Sequence, residues 1–96
     1  KTMSAYIIYH YNIIDQSRIN DLGPLSLPVI EKYSGQLVVG SGVRVLEGST
    51  HTNRVMYKFD SIDAAKIFYE SEESKELSKL RNEITEGYVV LVPEYS

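Results

Sequence analysis

Glu31 to Gly48, EKYSGQLVVGSGVRVLEG, decides how this chain is read. A helix runs to Lys32-Tyr33 and stops at Gly35, the residue that best tolerates the left-handed position ending a helix. Gln36 to Gly40 is a short apolar strand. Gly40-Ser41-Gly42 is a bend or bulge, and Val43 to Leu46 either continues the strand past it or pairs separately. Glu47 to Asn53, EGSTHTN, is a polar loop. The stretch sets the punctuation of the fold: helix, strand, bend, strand, loop.

Toward the N-terminus, Ala5 to Ile13, AYIIYHYNI, is the strongest strand, β-branched and aromatic without a breaker. Ile7, Tyr9, Tyr11 and Ile13 share one face, and Tyr6, Ile8, His10 and Asn12 the other. The first face is the more apolar and is expected to meet the helices. The alternative assignment swaps the faces and puts His10 under them. Asp15 is expected to N-cap a helix from Gln16 to about Tyr33. Ile19, Leu22, Leu25 and Ile30 supply its apolar side, with a kink or restart near Leu25 caused by Gly23-Pro24.

Toward the C-terminus, Arg54 to Phe59 is a strand with Val55, Tyr57 and Phe59 on one face and Arg54, Met56 and Lys58 on the other. Asp60-Ser61 caps a helix whose buried stripe is Ile62, Ala65, Phe68 and Tyr69. Ser71 starts a second helical piece, with Glu72 and Glu73 where the macrodipole favours anions. Its apolar face is Leu77, Leu80 and Ile84. Gly87 breaks it, and Tyr88 to Val92 is the last strand, closed by Pro93.

The order strand, helix, strand, strand, helix, strand reads as an α+β ferredoxin-like βαββαβ sandwich, with one four-stranded antiparallel sheet and helices on one face. Its 96 residues make one domain, spanning residues 4–95, with residues 1–3 as an N-terminal extension. The second sheet face is left uncovered by the chain itself. It carries Tyr6, Ile8, His10, Arg54, Met56 and Val90, a patch too apolar to face water comfortably. Two sheets packed face to face would bury it, so the expected partner is a second copy in a symmetric homodimer.

Composition narrows the function classes. A net charge of −3 gives no basic footprint for nucleic acid. The chain has no cysteine, which removes disulfides, thiol catalysis and thiolate metal sites. No run approaches the roughly 18 apolar residues of a membrane span, and no signal peptide precedes the first strand, so a cytoplasmic location is expected. The two histidines stand 41 positions apart with no carboxylate beside either, so no metal is expected. Phosphate-loop, GxSxG and dinucleotide motifs are missing, and no cofactor is expected.

His10, mid-strand between two tyrosines, is the candidate catalytic acid or base. Against that stands a histidine hydrogen-bonded in a dimer interface. Tyr9, Tyr11, Asn12, Arg54 and Tyr69 are candidate ligand-binding residues. Arg54 can grip a carboxylate in bidentate fashion, or form an ion pair with Glu47 or Asp15. Asn12 can orient a ligand or end the strand. Arg81 reads as a surface partner of Glu83 or Asp63, and Asp15 as a cap rather than a base.

AYIIYHYNIID, EKYSGQLVVGSG, VLEG, RVMYKF, IDAAKIFYES and ELSKLR, in that order and spacing, resemble the bacterial domain-of-unknown-function 1330 family. The resemblance covers Ser4 to Val92. It implies a ferredoxin-like fold that dimerises through its sheets, the dimeric α/β barrel, whose superfamily includes cofactor-free monooxygenases, lactone isomerases and ligand-binding domains. By position, the family-like polar and glycine set is Asp15, Gly35, Gly42, Glu47, Gly48, Arg54, Tyr69 and Arg81. The chain departs from the family where aromatic residues usually open the first helix, here Ile19 and Leu22. It departs again where Ser-Pro-Glu-Tyr restarts the second, here Ser71-Glu72-Glu73-Ser74. The implied function is a cofactor-free enzyme, monooxygenase- or isomerase-like, acting on a small aromatic or carbonyl compound. The alternative is a non-catalytic dimer that binds a small ligand or serves a structural or regulatory role.

Overall fold

The computed structural model describes residues 3–40 and 42–95. Strand β1, Ala5–Ile13, lies at the centre of one antiparallel sheet of order β2-β3-β1-β4. Its neighbours are β3, Asn53–Phe59, and β4, Thr85–Pro93; β2, Gln36–Val39, is an edge strand paired only to β3. Helices α1 (Leu22–Lys32), α2 (Ile62–Glu70) and α3 (Glu72–Ile84) complete an α+β ferredoxin-like arrangement. In the register, Ile7 pairs with Tyr57 and Leu91, and His10 pairs with Arg54 and Tyr88.

The face given to the helices from sequence is the buried one. Ala5, Ile7, Tyr9, Tyr57 and Phe59 form the core with Ile30 of α1 and Ala65 and Phe68 of α2. Phe59 and Phe68 stack with ring centroids 5.2 Å apart. Of the stripe expected on α2, Ala65 and Phe68 are buried while Ile62 and Tyr69 are exposed. A nine-residue helix presents a narrow face, and Tyr69 is turned about 100° from Phe68 by the helical period.

The capping chemistry differs from the sequence reading at the first helix. Asp15 caps a turn, not a helix: its Oδ1 accepts from Ser17 N (3.2 Å) and Ser17 Oγ (2.6 Å). A short 3-10 turn, Ile19–Asp21, then leads into α1. No restart occurs at Leu25, because Gly23-Pro24 falls in the first turn, where backbone N–H groups have no helical acceptor to lose. At the other end the left-handed residue is Ser34 (φ 63°), not Gly35. Gly35 N donates to Ile30 O (2.8 Å) and Ser34 N to Glu31 O (3.0 Å), a Schellman motif. Gly35 is needed for packing instead. A Cβ there would fall 2.6 Å from the Phe59 ring and 2.8 Å from Ile30 Cγ2.

The Val43–Leu46 strand does not form. Gly42 makes an isolated bridge to Asn53, and Val43 N donates to Thr52 O (3.2 Å) before the chain leaves the sheet. Ser41, the middle of the expected bend, lies outside the described residues, as do positions 1 and 2 of the expected N-terminal extension. The register shift falls earlier, between Leu37 and Val39. The α2 and α3 caps follow expectation: Ser61 Oγ accepts from Ala64 N (3.0 Å) and Ser71 Oγ from Ser74 N (3.1 Å).

Gly87 does not break a helix. Helix α3 ends at Ile84, and β4 begins at once with Thr85. Ile14 N and Asp15 N both donate to Ile84 O, at 2.8 and 3.0 Å, which ties the end of β1 to the helix end. Gly87 sits inside β4 at φ 155°, and a Cβ would stand 1.9 Å from His10 O. Only glycine lets the two backbones approach so closely. Gly87→Ala is therefore expected to cost at least about 2 kcal/mol through clash and backbone strain. Gly23→Ala, with open space around its Cβ, should be neutral or stabilising. Urea denaturation of the two variants checks the contrast.

Candidate functional site

Alternation along β1 divides the sequence candidates between two faces. Tyr9 and Tyr11 point toward the helices. They line a cavity of about 180 Å³ with Tyr57 of β3, Ser26 and Ile30 of α1, and Leu77 and Arg81 of α3. Tyr9 and Tyr57 meet edge to face at 5.5 Å. The Arg81 guanidinium lies over the Tyr9 ring, 4.8 Å from its centroid, and Arg81 Nη2 donates to Ser78 Oγ (3.2 Å). Burial pushes the Tyr9 hydroxyl well above the usual phenol range, with Arg81 opposing. Burial raises Tyr57 and Tyr11 as well. All three hydroxyls are thus protonated at neutral pH and available as donors.

His10, Asn12 and Arg54 lie on the uncovered face. Arg54 Nε donates to His10 Nδ1 (3.2 Å), so the imidazole accepts at that nitrogen. Among the described residues Arg54 makes no ion pair with Glu47 or Asp15; Asp15 is approached instead by Arg18 (4.0 Å), which also pairs with Glu83 (3.1 Å). The His10 ring stacks on Tyr88 at 4.6 Å, and His51 meets the same Tyr88 edge-on at 5.4 Å. Asn12 Oδ1 accepts from Thr52 N (2.9 Å) and Thr52 Oγ1 (3.2 Å), pinning the polar loop to β1. Partial burial, then Arg54 and His51, lower the His10 pKa from its ordinary value.

Tyr69 stands apart from both groups, in a second cavity of about 320 Å³ between α2 and β4 with Ile7, Val89 and Leu91. The six sequence candidates do not all share one pocket: Tyr9 and Tyr11 line the cavity, a small crevice beside Gly87 brings them together with His10 and Tyr88, and Asn12, Arg54 and Tyr69 lie outside both. Sequence reasoning left Tyr57 open between core and pocket, and passed over Arg81 as a cavity residue. A signal for Arg81 was present: Ser74, Leu77, Arg81 and Ile84 recur at helical spacing, which puts Arg81 on the inward stripe of α3. Its expected partner Glu83 lies two residues on, turned to the outside and held by Arg18.

The sequence matches the family described as domain of unknown function (DUF1330) over residues 4–95. The chain belongs to this family. Solved structures support the fold of this DUF1330 chain. A protein of unknown function from Rhodopseudomonas palustris superposes with a TM-score of 0.77 at 14% identity, covering 100% of this chain and 85% of that one. SnoaB, a cofactor-independent oxygenase from Streptomyces nogalater, gives 0.74 at 6% identity, covering 99% and 96%. A dimeric protein of unknown function and ferredoxin-like fold from Bacteroides fragilis gives 0.63 at 17% identity, covering 100% and 98%. A search of curated protein sequences found no match. These likenesses establish the fold, not the chemistry.

His10 offers a measurement on the open face. Because its pKa is lowered from the ordinary 6.5, the neutral imidazole is favoured by the fold. Its stabilising contribution is present above pH 6.5 and fades as pH falls from there through the folded pKa. NMR titration of the ring carbons should place the His10 midpoint below that of an unfolded control. Arg54→Met removes an adjacent cation and should move the midpoint upward.

Proposed function

We propose that this DUF1330 protein binds a small aromatic or carbonyl compound in the cavity between its sheet and helices, and works as a homodimer joined through the uncovered sheet face. The observation that carries the reading is the gathering of Tyr9, Tyr11 and Tyr57 around one cavity. Its volume of about 180 Å³ compares with the ~150 Å³ that holds benzene in an engineered core, so it suits a single substituted ring. The protonated hydroxyls donate to a carbonyl or phenolic oxygen of such a ligand. Fixed donors in a partly dry site stabilise an oxygen that gains negative charge. That is the demand of a proton shift beside a carbonyl, or of an oxidation without a cofactor, as in the fold neighbour SnoaB. The enzyme reading rests on this analogy and on the donors.

One observation favours binding without turnover: no carboxylate or imidazole is among the described residues lining the cavity. In this reading His10, Asn12 and Arg54 serve the contact between subunits, while Tyr69 flanks the second cavity. The homodimer is supported by the apolar content of the uncovered face, where Tyr6, Ile8, Met56, Val90 and Val92 stand side by side by register. Leu37, Val38 and Val39 of the edge strand β2 are also exposed. Fold neighbours from Bacteroides fragilis and Thermobifida fusca are described as dimeric.

A thermal-shift screen of small phenols and aromatic ketones tests the cavity, since a ligand of the native state alone raises its melting temperature. Positive compounds should lose their effect in Leu77→Trp, which fills the space. They should bind several-fold more weakly to Tyr57→Phe, as expected for the loss of about 1 kcal/mol of hydrogen bonding. Shifts that survive Leu77→Trp unchanged would place the ligand elsewhere.

Sedimentation tests the assembly. The parent protein is expected to run as a dimer at micromolar concentration, and Ile8→Asp as a folded monomer. A monomeric parent removes the homodimer from the proposal.

A further inference from the structure

Arg81 is the one charged side chain among the described residues lining the cavity. The raised tyrosines stay neutral, so the cavity carries a single positive charge near pH 7. The chain has 13 acidic residues, yet no carboxylate oxygen lies within 4.0 Å of the Arg81 guanidinium among the described residues. Two acids near the same end of the molecule, Asp15 and Glu83, are engaged by Arg18. What Arg81 does have is the Tyr9 ring and one neutral acceptor, Ser78 Oγ.

A partly buried guanidinium without a counter-charge is costly, and the cost falls when an anion arrives. Its position in the last turn of α3 favours a cation there, but a dipole and a ring face do not satisfy the five donors of the fork.

We infer that the natural ligand of this cavity is a small aromatic acid, its carboxylate held by Arg81 and the phenolic donors while its ring lies among Leu22, Ile30, Val55 and Leu77. The inference rests on the cavity reading above and names its substrate class. A guanidinium matches a carboxylate with two parallel hydrogen bonds, which an amide of the same shape cannot reproduce.

The test uses matched probes: benzoate and phenylacetate against benzamide and phenylacetamide. Binding to the full chain is measured by calorimetry and by chemical shift of cavity residues. The acids should bind at least about 10-fold more tightly than their amides, the scale of one charge-assisted hydrogen bond. Arg81→Met should erase that preference and leave amide affinity nearly unchanged, and Arg81→Lys should keep part of it. Should Arg81→Met fail to fold, phenylacetate with a ¹³C-labelled carboxyl reads the same contact in the parent protein. Its carboxyl should remain ionised in the complex at a pH where the free acid is half protonated. Equal affinity for acid and amide, or a bound carboxyl that titrates as the free one does, overturns the anionic ligand while leaving the cavity reading intact. Binding of neither series overturns both.

Discussion

Everything in this fold depends on β1 being paired on both sides. A strand at the centre of a sheet has no free backbone edge, so its only freedom is which side chains point up and which down. Ala5, Ile7 and Tyr9 take the helix side and are buried. Their neighbours Tyr6, Ile8 and His10 are thereby committed to the other side. A slip of one residue would place His10 in the core and expose Ile7 and Tyr9. The burial of aromatic and branched side chains is large enough to forbid it.

Two close backbone approaches hold that register at the far end of β1. Gly87 of β4 lies against His10 O, and the Ile84 carbonyl accepts from both Ile14 and Asp15. Helix α3 turns into β4 without a loop, so the helix end, the strand start and the end of β1 are locked together. Arg81, Thr85 and Tyr11 sit at this junction and face the cavity. One wall of the cavity is thus built on this locked junction. The uncovered face differs in character. Its His10, His51, Tyr88 and Arg54 form a stacked polar cluster among apolar neighbours.

The element order, the antiparallel α+β class and the buried face of β1 were legible because they rest on short-range patterns. Alternation in AYIIYHYNI, the serine caps at Ser61 and Ser71, and the apolar period of α2 each act over a few residues. Legibility failed where two local signals competed. Asp15 is a good cap for either a helix or a turn, and Ser17, two residues on, offered the turn. Gly35 looked like the left-handed residue, but the Schellman geometry fell one position earlier, and the glycine was claimed by the Phe59 ring. Gly87 looked like a helix stop, whereas its role is set by a strand 76 positions earlier, at Tyr11, its pairing partner.

Local chemistry alone determined the fold class and the two faces of the central strand, because periodicity and capping are written in neighbouring residues. It also placed Tyr9 and Tyr11 on one side and His10 on the other. Only tertiary structure decided which of these side chains share a space. Tyr57 reaches Tyr9 across a strand pair, and Arg81 reaches the same ring from a helix 72 residues later. Arg54 found His10 instead of a carboxylate because the register set them opposite each other. Such meetings are fixed by packing over long sequence separations, and no window of neighbouring residues contains both partners.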